Sequence, residues 1–455
     1  MSSKKVYVLD TNIILTDYEA LYKFGTHDIV VPLKVLEEID EKKKRQDIVG
    51  FNARNFIKAL DELREKGSLV KGVRISKGLG QIRARNGNIA LLPDDFDKSL
   101  PDNIILSTAL AEKEENPEKK IIVVSLDINL RVRCDSLGLA CETYNENQVV
   151  TKSSEIFTGY STLLVEDEFL DQFYAGHELF LEKNEETKNF KPNQFIVMHS
   201  KINEKKSGIA KFVSFGKPLE KTREYVKSKE GTVFGLSPKN KEQQMALNLL
   251  MDPNVPVVTL MGTAGCGKTL LAVAAALEFV INGDADDNKK YERIIISRPV
   301  MPLGKDIGFL PGTADEKLRP WIAPIEDNLD FLFSSKSNKV LKQRDPLEHY
   351  RENGVIQVEA LTYIRGRSLS NAFIIFDECQ NMTMHEIKTV LTRVGENTKI
   401  VLTGDVSQID NLYLNDTNNG LTHVVEKFKD TELAGHITLI KGERSKVATF
   451  ASKVL

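Results

Sequence analysis

Runs of consecutive apolar residues, each closed by polar residues and followed by an amphipathic stretch, recur along most of this chain. Apolar runs such as Val257–Met261 predict strands that are buried on both faces. The segment LKVLEEIDEKKK, which follows Pro32, has the periodicity of an amphipathic helix. Because strands that alternate with helices form parallel sheets covered by helices, the pattern predicts an α/β fold class.

A middle stretch, residues 150–233, has a different pattern. Short alternating segments such as NQFIVMHSKI and GIAKFVSF are separated by polar turns, which predicts antiparallel strands with at least one hairpin. The chain has 455 residues, a length typical of two or three domains. We therefore expect an N-terminal α/β domain at 1–149, a small β-rich connecting segment at 150–233 and a C-terminal α/β domain at 234–455.

The first buried strand of the C-terminal domain leads into a glycine-rich turn and then into a helix rich in Ala and Leu. The turn matches the pattern G-x-x-x-x-G-K-[ST] at every fixed position, between a strand and a helix as that pattern requires. In such a loop the backbone N–H groups surround phosphate oxygens, the lysine neutralises phosphate charge and the threonine hydroxyl ligates Mg²⁺. The residues predicted to bind ATP are Gly262, Thr263, Ala264, Gly265, Cys266, Gly267, Lys268 and Thr269.

Later segments supply the other parts of a nucleotide hydrolase. The run AFIIFDECQN ends in Asp377, predicted to hold Mg²⁺, and Glu378, predicted to polarise the attacking water. Gln408 follows another strand end, where it is placed to sense the γ-phosphate. Gln243 precedes the loop and is placed to read the adenine edge, as in helicase-like ATPases. Arg444 is predicted to act as a finger in a neighbouring subunit's site.

Four segments together resemble the PhoH-like ATPases over about residues 235–455: ISRPVMPLGKDIGFLPG, TYIRGRSLSNAFIIFDECQN, TGDVSQID and GERS. The resemblance implies a RecA-like P-loop NTPase domain, although Cys266 stands where that family would have Thr. One RecA-like lobe cannot complete a helicase site, so we expect a homo-oligomer, and the resemblance implies a ring, with a hexamer as its expected size. Arg365 and Arg367 are either phosphate ligands or members of intrachain ion pairs.

Acidic residues follow the predicted strands of the N-terminal domain. Asp10 and Asp127 come directly after two of these strands, at the edge where the carboxyl ends of parallel strands converge. Glu38 lies on a predicted helix, and Asp102 lies at the start of another. Singly, each is also typical of a cap, a turn or a solvated helix face. Grouped carboxylates repel one another, and Mg²⁺ or Mn²⁺ relieves that repulsion.

The order of these acids resembles that of the PIN-domain ribonucleases over about residues 4–145. The resemblance implies a PIN-like three-layer α/β domain in which Asp10, Glu38, Asp102 and Asp127 hold metal and activate water against a phosphodiester. Glu37 stays open as an alternative to Glu38.

Other polar residues of the N-terminal domain are candidates for supporting roles. Asn12 and Ser125 are expected to orient the acidic ligands. Basic residues without acidic neighbours occupy 71–85, where they form either phosphate contacts or a solvated loop. This basic set is Lys71, Arg74, Lys77, Arg83 and Arg85. A second basic stretch in the middle segment is either a nucleic-acid surface or a solvated linker.

Composition narrows the class of protein. The hydrophobic fraction of 41% and the charged fraction of 28% are typical of a globular chain, and the net charge of −3 argues against a general polyanion binder. The four cysteines include no C-x-x-C pair, so the sequence indicates neither a zinc site nor a disulfide framework. No apolar run reaches the roughly eighteen residues of a membrane span, and no signal peptide is present, so we expect a cytoplasmic protein without membrane partners.

Taken together, the two resemblances imply a fused PIN–PhoH protein. The expected function is an ATP-dependent RNA-processing enzyme, in which a Mg²⁺- or Mn²⁺-dependent ribonuclease is coupled to an ATPase that unwinds or translocates single-stranded RNA. The alternative is an ATP-driven remodelling or phosphate-responsive regulatory ATPase, whose PIN-like domain binds RNA without cleaving it.

Overall fold

The computed structural model describes the chain as two compact units, Met1–Gln148 and Val149–Leu455. The described residues are 4–45, 48–144, 150, 152–203, 205–226, 231–283, 291–299, 314–336, 346–361, 369–411 and 414–442. Arg365, Arg367 and Arg444 lie outside these ranges. No helix in the described ranges is long and apolar enough to cross a membrane.

The first unit is built on a sheet to which its described residues contribute six strands. These are β1 (Lys5–Leu9), β2 (Asp28–Pro32), β3 (Val73–Arg74), β4 (Gln81–Arg85), β5 (Lys120–Val124) and β6 (Ala140–Glu142). They lie in the order β3-β4-β2-β1-β5-β6, and every pair is parallel except β3 with β4. The helices are α1 (Thr11–Thr16), α2 (Leu33–Lys42), α3 (Ile48–Glu65), α4 (Pro101–Glu115) and α5 (Ile128–Ser136).

The elements of the first unit follow from its apolar runs. Strands β1, β2 and β5 are almost wholly buried, as expected for central strands that have helices on both faces. Helix α4 begins with Pro101 at its first position, which suits a residue that has no N–H to donate. The strands predicted before Asp10 and Asp127, and the helix predicted to begin near Asp102, are therefore confirmed.

The basic stretch at 71–85 forms the antiparallel pair of β3 and β4, and the prediction of a solvated loop is wrong for these strand residues. Ile82 is fully buried, and the alternation of QIRAR leaves its arginines on the other face. At Gly80 a Cβ atom would lie only 1.7 Å from the His27 carbonyl oxygen, so the close approach of these chains requires glycine.

The second unit begins with a small sheet whose described strands lie in the order β10-β9-β8-β7. Its elements are β7 (Tyr160–Val165), α6 (Asp167–Ala175), β8 (Gln194–Ser200), β9 (Ser207–Phe212) and β10 (Glu220–Lys221). The predicted hairpin is confirmed as the β8–β9 pair. The prediction of antiparallel strands is wrong for β7 and β8, which are parallel, because α6 lies in the connection that returns the chain to the start of the sheet.

The rest of the second unit is an α/β layer whose described strands are all parallel. The strands are β11 (Val257–Gly262), β12 (Arg293–Arg298), β13 (Ile356–Ala360), β14 (Ala372–Phe376), β15 (Lys399–Gly404) and β16 (Ala434–Leu439). Their order is β13-β12-β14-β15-β11-β16. The helices are α7 (Lys241–Met251), α8 (Lys268–Leu277), α9 (Ala314–Lys336), α10 (Pro346–Glu352), α11 (Met384–Leu391) and α12 (Gly420–Phe428). Both halves of the chain are thus α/β, as predicted.

The small sheet is joined to the large one by backbone and amide contacts. The amide of Asn193 donates to the carbonyl oxygens of Glu432 and Ala434, both at 2.9 Å. Gly159 has a positive φ of 85°, and a Cβ there would lie 1.7 Å from the carbonyl oxygen of His436. The start of β7 therefore lies directly against β16.

Strand β11 occupies an interior position in the large sheet. It is hydrogen-bonded on one side to β15 and on the other to β16. Lys399, the first residue of β15, is fully buried, and its ammonium group donates to the carbonyl oxygens of Leu249, Asp252 and Val255 at 2.7–2.9 Å. This lysine satisfies carbonyls at the end of α7, as expected for a cation at a helix C-terminus.

Candidate functional site

The phosphate loop connects the end of β11 to the start of α8, and its shape depends on glycine. Gly262, Gly265 and Gly267 have φ values of 154°, 81° and 92°, a region that side chains disfavour. A Cβ at Gly262 would also lie 2.3 Å from the carbonyl oxygen of Leu439. The loop thus takes a glycine-dependent conformation directly before the N-terminus of α8, a position that suits phosphate.

Lys268 lies within this loop, where its ammonium group contacts loop carbonyls. Its Nζ donates to the carbonyl oxygen of Gly262 at 2.7 Å and to that of Thr263 at 3.2 Å. The N–H of Ala264 donates to Oδ2 of Asp405 at 2.8 Å. The lysine is therefore held beside the loop, within the space where it would neutralise phosphate charge.

The residues predicted to hold Mg²⁺ contact each other directly. Thr269 Oγ1 donates to Asp377 Oδ1 at 2.9 Å, and the Thr403 hydroxyl donates to the same carboxylate oxygen. Asp377 is buried at the carboxyl end of β14. A hydroxyl and a carboxylate are hard oxygen ligands, so this pair fits Mg²⁺ bound between them and the nucleotide phosphates.

Glu378 takes a left-handed backbone conformation, with φ 57°, which turns it away from the strand that precedes it. Its Oε1 lies 3.4 Å from Nη2 of Arg298, at the end of the neighbouring strand β12. Burial raises the pKa of Glu378, the Asp377 carboxylate raises it further, and Gln380, Arg298 and Lys268 oppose the rise. A carboxylate in this environment is suited to accept a proton from water.

Gln380 organises the site, although the sequence analysis did not select it. It is fully buried; its Oε1 accepts from the N–H of Asp405 at 3.0 Å, and its Nε2 donates to the Gln408 carbonyl at 2.9 Å and to Glu378. A Cβ at Gly404 would lie 2.5 Å from Gln380 Oε1. No feature of the sequence distinguishes this glutamine, because its role depends on contacts with a segment that follows much later.

Gln243 and Gln408 occupy different surroundings. Gln243 is buried on α7, its Nε2 donates to the Cys266 carbonyl at 3.0 Å, and its Oε1 accepts from the N–H of Lys239 at 2.8 Å. It therefore links α7 to the phosphate loop, and adenine recognition by Gln243 stays a prediction. Gln408 is exposed.

In the first unit, Asp10 lies at the end of β1 and caps α1. Its Oδ1 accepts from the N–H of Thr11 at 2.6 Å, and its Oδ2 accepts from Ser125 Oγ at 2.5 Å. Burial raises the pKa of Asp10 to about 6, and the carboxylates of Asp102 and Glu38 add to the rise. Three of the four predicted acidic residues are thus close enough to interact electrostatically.

Glu38 and Glu37 point in different directions on α2. The hydroxyl of Thr11 donates to Glu38 Oε2 at 2.5 Å, which places this carboxylate beside Asp10. Glu37 is 66% exposed and pairs with Lys34 at 3.0 Å. Geometry therefore favours Glu38 as the member of the acidic group.

The other two acids lie at helix starts. Asp127 caps α5 by accepting from the N–H of Asn129 at 2.8 Å, and its own N–H donates to Ser125 Oγ at 2.9 Å. Burial raises the pKa of Asp102, the nearby Arg133 guanidinium lowers it, and Asp127 raises it. Ser125 thus connects Asp10 with Asp127, as expected for an orienting residue.

The donor set of this acidic group suits a hard divalent cation. It consists of carboxylates, and Oδ1 of Asn12 is buried without a hydrogen-bond partner. Among the residues that the structure describes, however, no three Asp, Glu, His or Cys side chains form a group that could hold a metal ion as they stand. Asp102 instead lies 3.6 Å from Arg133 Nη1.

The arginines of β4 bind inside the first unit. Arg83 and Arg85 both pair with the fully buried carboxylate of Glu112, and Arg85 also pairs with Glu115. The pair to Glu112 from Arg85 measures 2.7 Å. Two members of the predicted basic set are therefore engaged in internal ion pairs.

Comparison with known proteins matches both halves of the chain. A PIN domain model matches residues 7–145, and a PhoH-like protein model matches residues 235–450. The chain is 42% identical to Protein PhoH2 of Bacillus subtilis over 456 residues, covering 99% of this chain and 100% of that protein. The chain belongs to the PhoH2 family.

A second PhoH2 protein, from Thermobispora bispora, is 32% identical over 99% of this chain and 96% of its own length. Among solved structures, the UvsW helicase from bacteriophage T4 matches with a TM-score of 0.28 and 11% identity, over 69% of this chain and 77% of that one. As a PhoH2 protein, the chain combines a PIN domain with a P-loop nucleotide-binding domain.

Proposed function

We propose that this PhoH2 protein is an ATP-dependent RNA-processing enzyme, in which a Mg²⁺- or Mn²⁺-dependent ribonuclease works with an ATPase that unwinds or translocates single-stranded RNA. The observation that carries the proposal is the environment of Asp10. A buried carboxylate with a pKa of about 6, next to two further acids, is unfavourable for folding and is typical of a site that binds cations.

In the ATPase half, the contacts around the phosphate loop assign a role in ATP hydrolysis to each residue. The loop N–H groups and Lys268 would bind the β- and γ-phosphates, and Thr269 and Asp377 would hold Mg²⁺. Glu378 accepts the proton of the attacking water, and Arg298 keeps that carboxylate oriented. Gln380 ties Glu378 to Asp405, which in turn contacts the loop, so the water-activating and phosphate-binding parts are held in one arrangement.

In the nuclease half, Asp10, Glu38, Asp102 and Asp127 would hold the divalent cation. A bound Mg²⁺ or Mn²⁺ supplies a nucleophilic water and stabilises charge on the phosphate. Ser125 fixes the Asp10 carboxylate by donating to it, and Thr11 fixes Glu38 in the same way. Both Asp10 oxygens already accept a hydrogen bond, so Asp10 would bind the cation through a remaining lone pair, whereas Oε1 of Glu38 would be a second ligand.

One observation favours the alternative, in which the PIN domain binds RNA without cleaving it. Within the described residues the acids form no ready group of three ligands, and Arg133 is placed to neutralise Asp102. Under this alternative the ATPase would drive remodelling or serve a phosphate-responsive regulatory role. The two functions differ in whether Asp10 and Asp127 are needed for chemistry on RNA.

The test is cleavage of a labelled RNA with a single-stranded 5′ overhang, followed on gels with and without ATP. Asp10→Asn and Asp127→Asn should each abolish cleavage while ATP hydrolysis continues, because each removes one ligand charge with little change of shape. Asp135→Asn, at an exposed position on α5, is the matched control and should cleave normally. A wild-type protein that hydrolyses ATP but leaves this RNA intact with both metals would favour the alternative.

A further inference from the structure

A groove lies between the small sheet and α7 of the second unit, and none of the residues that line it belongs to the phosphate loop. Its volume is about 320 Å³. Aromatic residues, basic residues and the backbone of β9 line it together. The residues that line it include Tyr174, Lys221, Glu224, Tyr225, Lys241 and Gln244. We propose that this groove binds a short segment of single-stranded RNA, an inference that rests on the proposed function and adds the surface that holds the substrate.

Aromatic surface in the groove is available for stacking. The Tyr174 side chain, at the end of α6, is 48% exposed, and its hydroxyl donates to the carbonyl oxygen of Ser207, which holds the ring in place. The Lys221 ammonium group lies 5.6 Å from the centre of that ring. An exposed ring next to a cation is the combination that binds an unpaired base and its phosphate, because every base offers a face for stacking.

The second wall contributes positive charge but no stacking surface, because Tyr225 is only 6% exposed. Arg223 lies 5.4 Å from the ring centre of Tyr225, and Lys241 is exposed at the first position of α7. One carboxylate, Glu224, also lines the groove, so the cations outnumber the acids. The charge therefore favours an anionic strand, and the volume of about 320 Å³ suits about one nucleotide unit, with its neighbours in the strand lying outside the groove.

The segment that forms this wall is held in place by α7. Asn248 accepts from the N–H of Arg223 at 2.8 Å and donates to its carbonyl at 3.0 Å, and Gln244 donates to the same carbonyl. On the other side, Thr222 Oγ1 donates to the Ile209 carbonyl at 3.1 Å. The groove is consequently a built surface with fixed walls, which reduces the ordering cost of binding.

Helix α7 also connects the groove to the nucleotide site. Lys241 and Gln244 line the groove, whereas Gln243, between them, donates to the Cys266 carbonyl of the phosphate loop at 3.0 Å. An RNA strand that binds Lys241 thus contacts the same turn of α7 whose Gln243 supports the phosphate loop. RNA bound here is expected to change the rate of ATP hydrolysis through this turn.

The experiment measures the binding of a 5′-fluorescein-labelled oligouridine to the full chain by fluorescence anisotropy. Every protein carries Asp10→Asn, so that the RNA stays intact. Tyr174→Ala should raise the Kd by about 5- to 100-fold, the range expected for loss of base stacking. Tyr174→Phe keeps the ring and loses only the hydroxyl that donates to the Ser207 carbonyl, so it should bind RNA much more tightly than Tyr174→Ala. Lys221→Ala should weaken binding and reduce the slope of log Kd against log salt by about one.

Matched controls lie elsewhere on the same unit. Phe180→Ala removes an aromatic ring that is 50% exposed, and Lys188→Ala removes a lysine paired with Glu185. Both should bind RNA with the parent affinity. Thermal unfolding of each variant checks that Tyr174→Ala is folded. The RNA concentration that half-maximally changes ATP hydrolysis should rise by the same factor as the Kd.

The outcomes separate this inference from the proposed function. A parent protein that binds no RNA overturns both the groove inference and the proposed function. If the parent binds RNA and the Tyr174→Ala and Lys221→Ala variants bind it with unchanged affinity, the groove is not an RNA-binding site. The proposed function is then unaffected. Variants that bind RNA normally but change their mass in light scattering identify the groove as a protein contact, which also overturns the inference. Crosslinking of 4-thiouridine RNA to the peptide containing Tyr174 would support it directly.

Discussion

At the scale of single residues, the raised pKa of Asp10 makes the stability of the first unit depend on pH. Its pKa in the folded protein is about 6, against an ordinary value of 3.8. Because the folded state prefers the protonated form, stability falls as pH rises from the lower value to the higher one, and the deficit is constant above about pH 6. By linkage the deficit is about 3 kcal/mol.

Asp10→Asn should therefore stabilise the first unit by about 1–3 kcal/mol near neutral pH, and by much less near pH 4, because it removes the charge that burial disfavours. Amide hydrogen exchange of peptides covering β1 and β5, with wild type and variant compared at the same pH, measures the difference. Mn²⁺ should protect these peptides in the wild type and not in the variant. Equal protection of both proteins at neutral pH would contradict the assignment of a cation site.

A second prediction at this scale concerns Glu378. Glu378→Gln should bind ATP normally but hydrolyse it about 10²-fold more slowly, since the amide cannot take a proton from water. Nucleotide titration followed by steady-state phosphate release measures the two effects. Glu396→Gln, at an exposed position, is the control and should hydrolyse ATP at the wild-type rate. A wild-type rate in Glu378→Gln would refute its role as the base.

At the scale of elements, a buried ion pair fastens β4 to α4. Glu112→Gln should destabilise the first unit by about 3 kcal/mol, because it leaves Arg83 and Arg85 without their buried counter-charge. Glu115→Gln is the matched control; its side chain is 63% exposed, and its loss should cost no more than about 1 kcal/mol. Hydrogen exchange of the β4 peptide compares the two. If Glu112→Gln and Glu115→Gln destabilised the first unit equally, burial would not determine how much each ion pair contributes to stability.

The elements also show what local patterns can and cannot predict. The strand before the phosphate loop and the helix start at Pro101 follow from nearby residues, so both were predictable. The parallel direction of β7 and β8 depends on where α6 returns the chain, which no alternation of residues encodes. In the site, the loop residues follow from a fixed spacing, whereas Gln380 acquires its role only through distant Asp405.

At the scale of the whole molecule, the described large sheet supplies one phosphate-loop site, and we propose that a second copy completes it in a ring. ATPase activity per chain should then fall on dilution, because dissociation removes the residue contributed by the neighbour. Steady-state rates and light scattering over the same concentrations measure this. Arg444→Ala should lower activity without loss of nucleotide binding, and Lys441→Ala serves as a nearby control. A monomer with full activity would exclude this arrangement.

The interior position of β11 has a consequence for co-translational folding. The phosphate loop is synthesised with β11, yet the two strands that flank β11 belong to the last part of the described chain. At translation speeds of roughly 5–20 residues per second, on the order of ten seconds pass before either partner emerges. During that interval the backbone N–H and C=O groups on both edges of β11 have no strand partner. The apolar strand therefore depends on the ribosome or on chaperones to shield it. The nucleotide site is thus among the earliest parts of its half to be made and among the last to take shape.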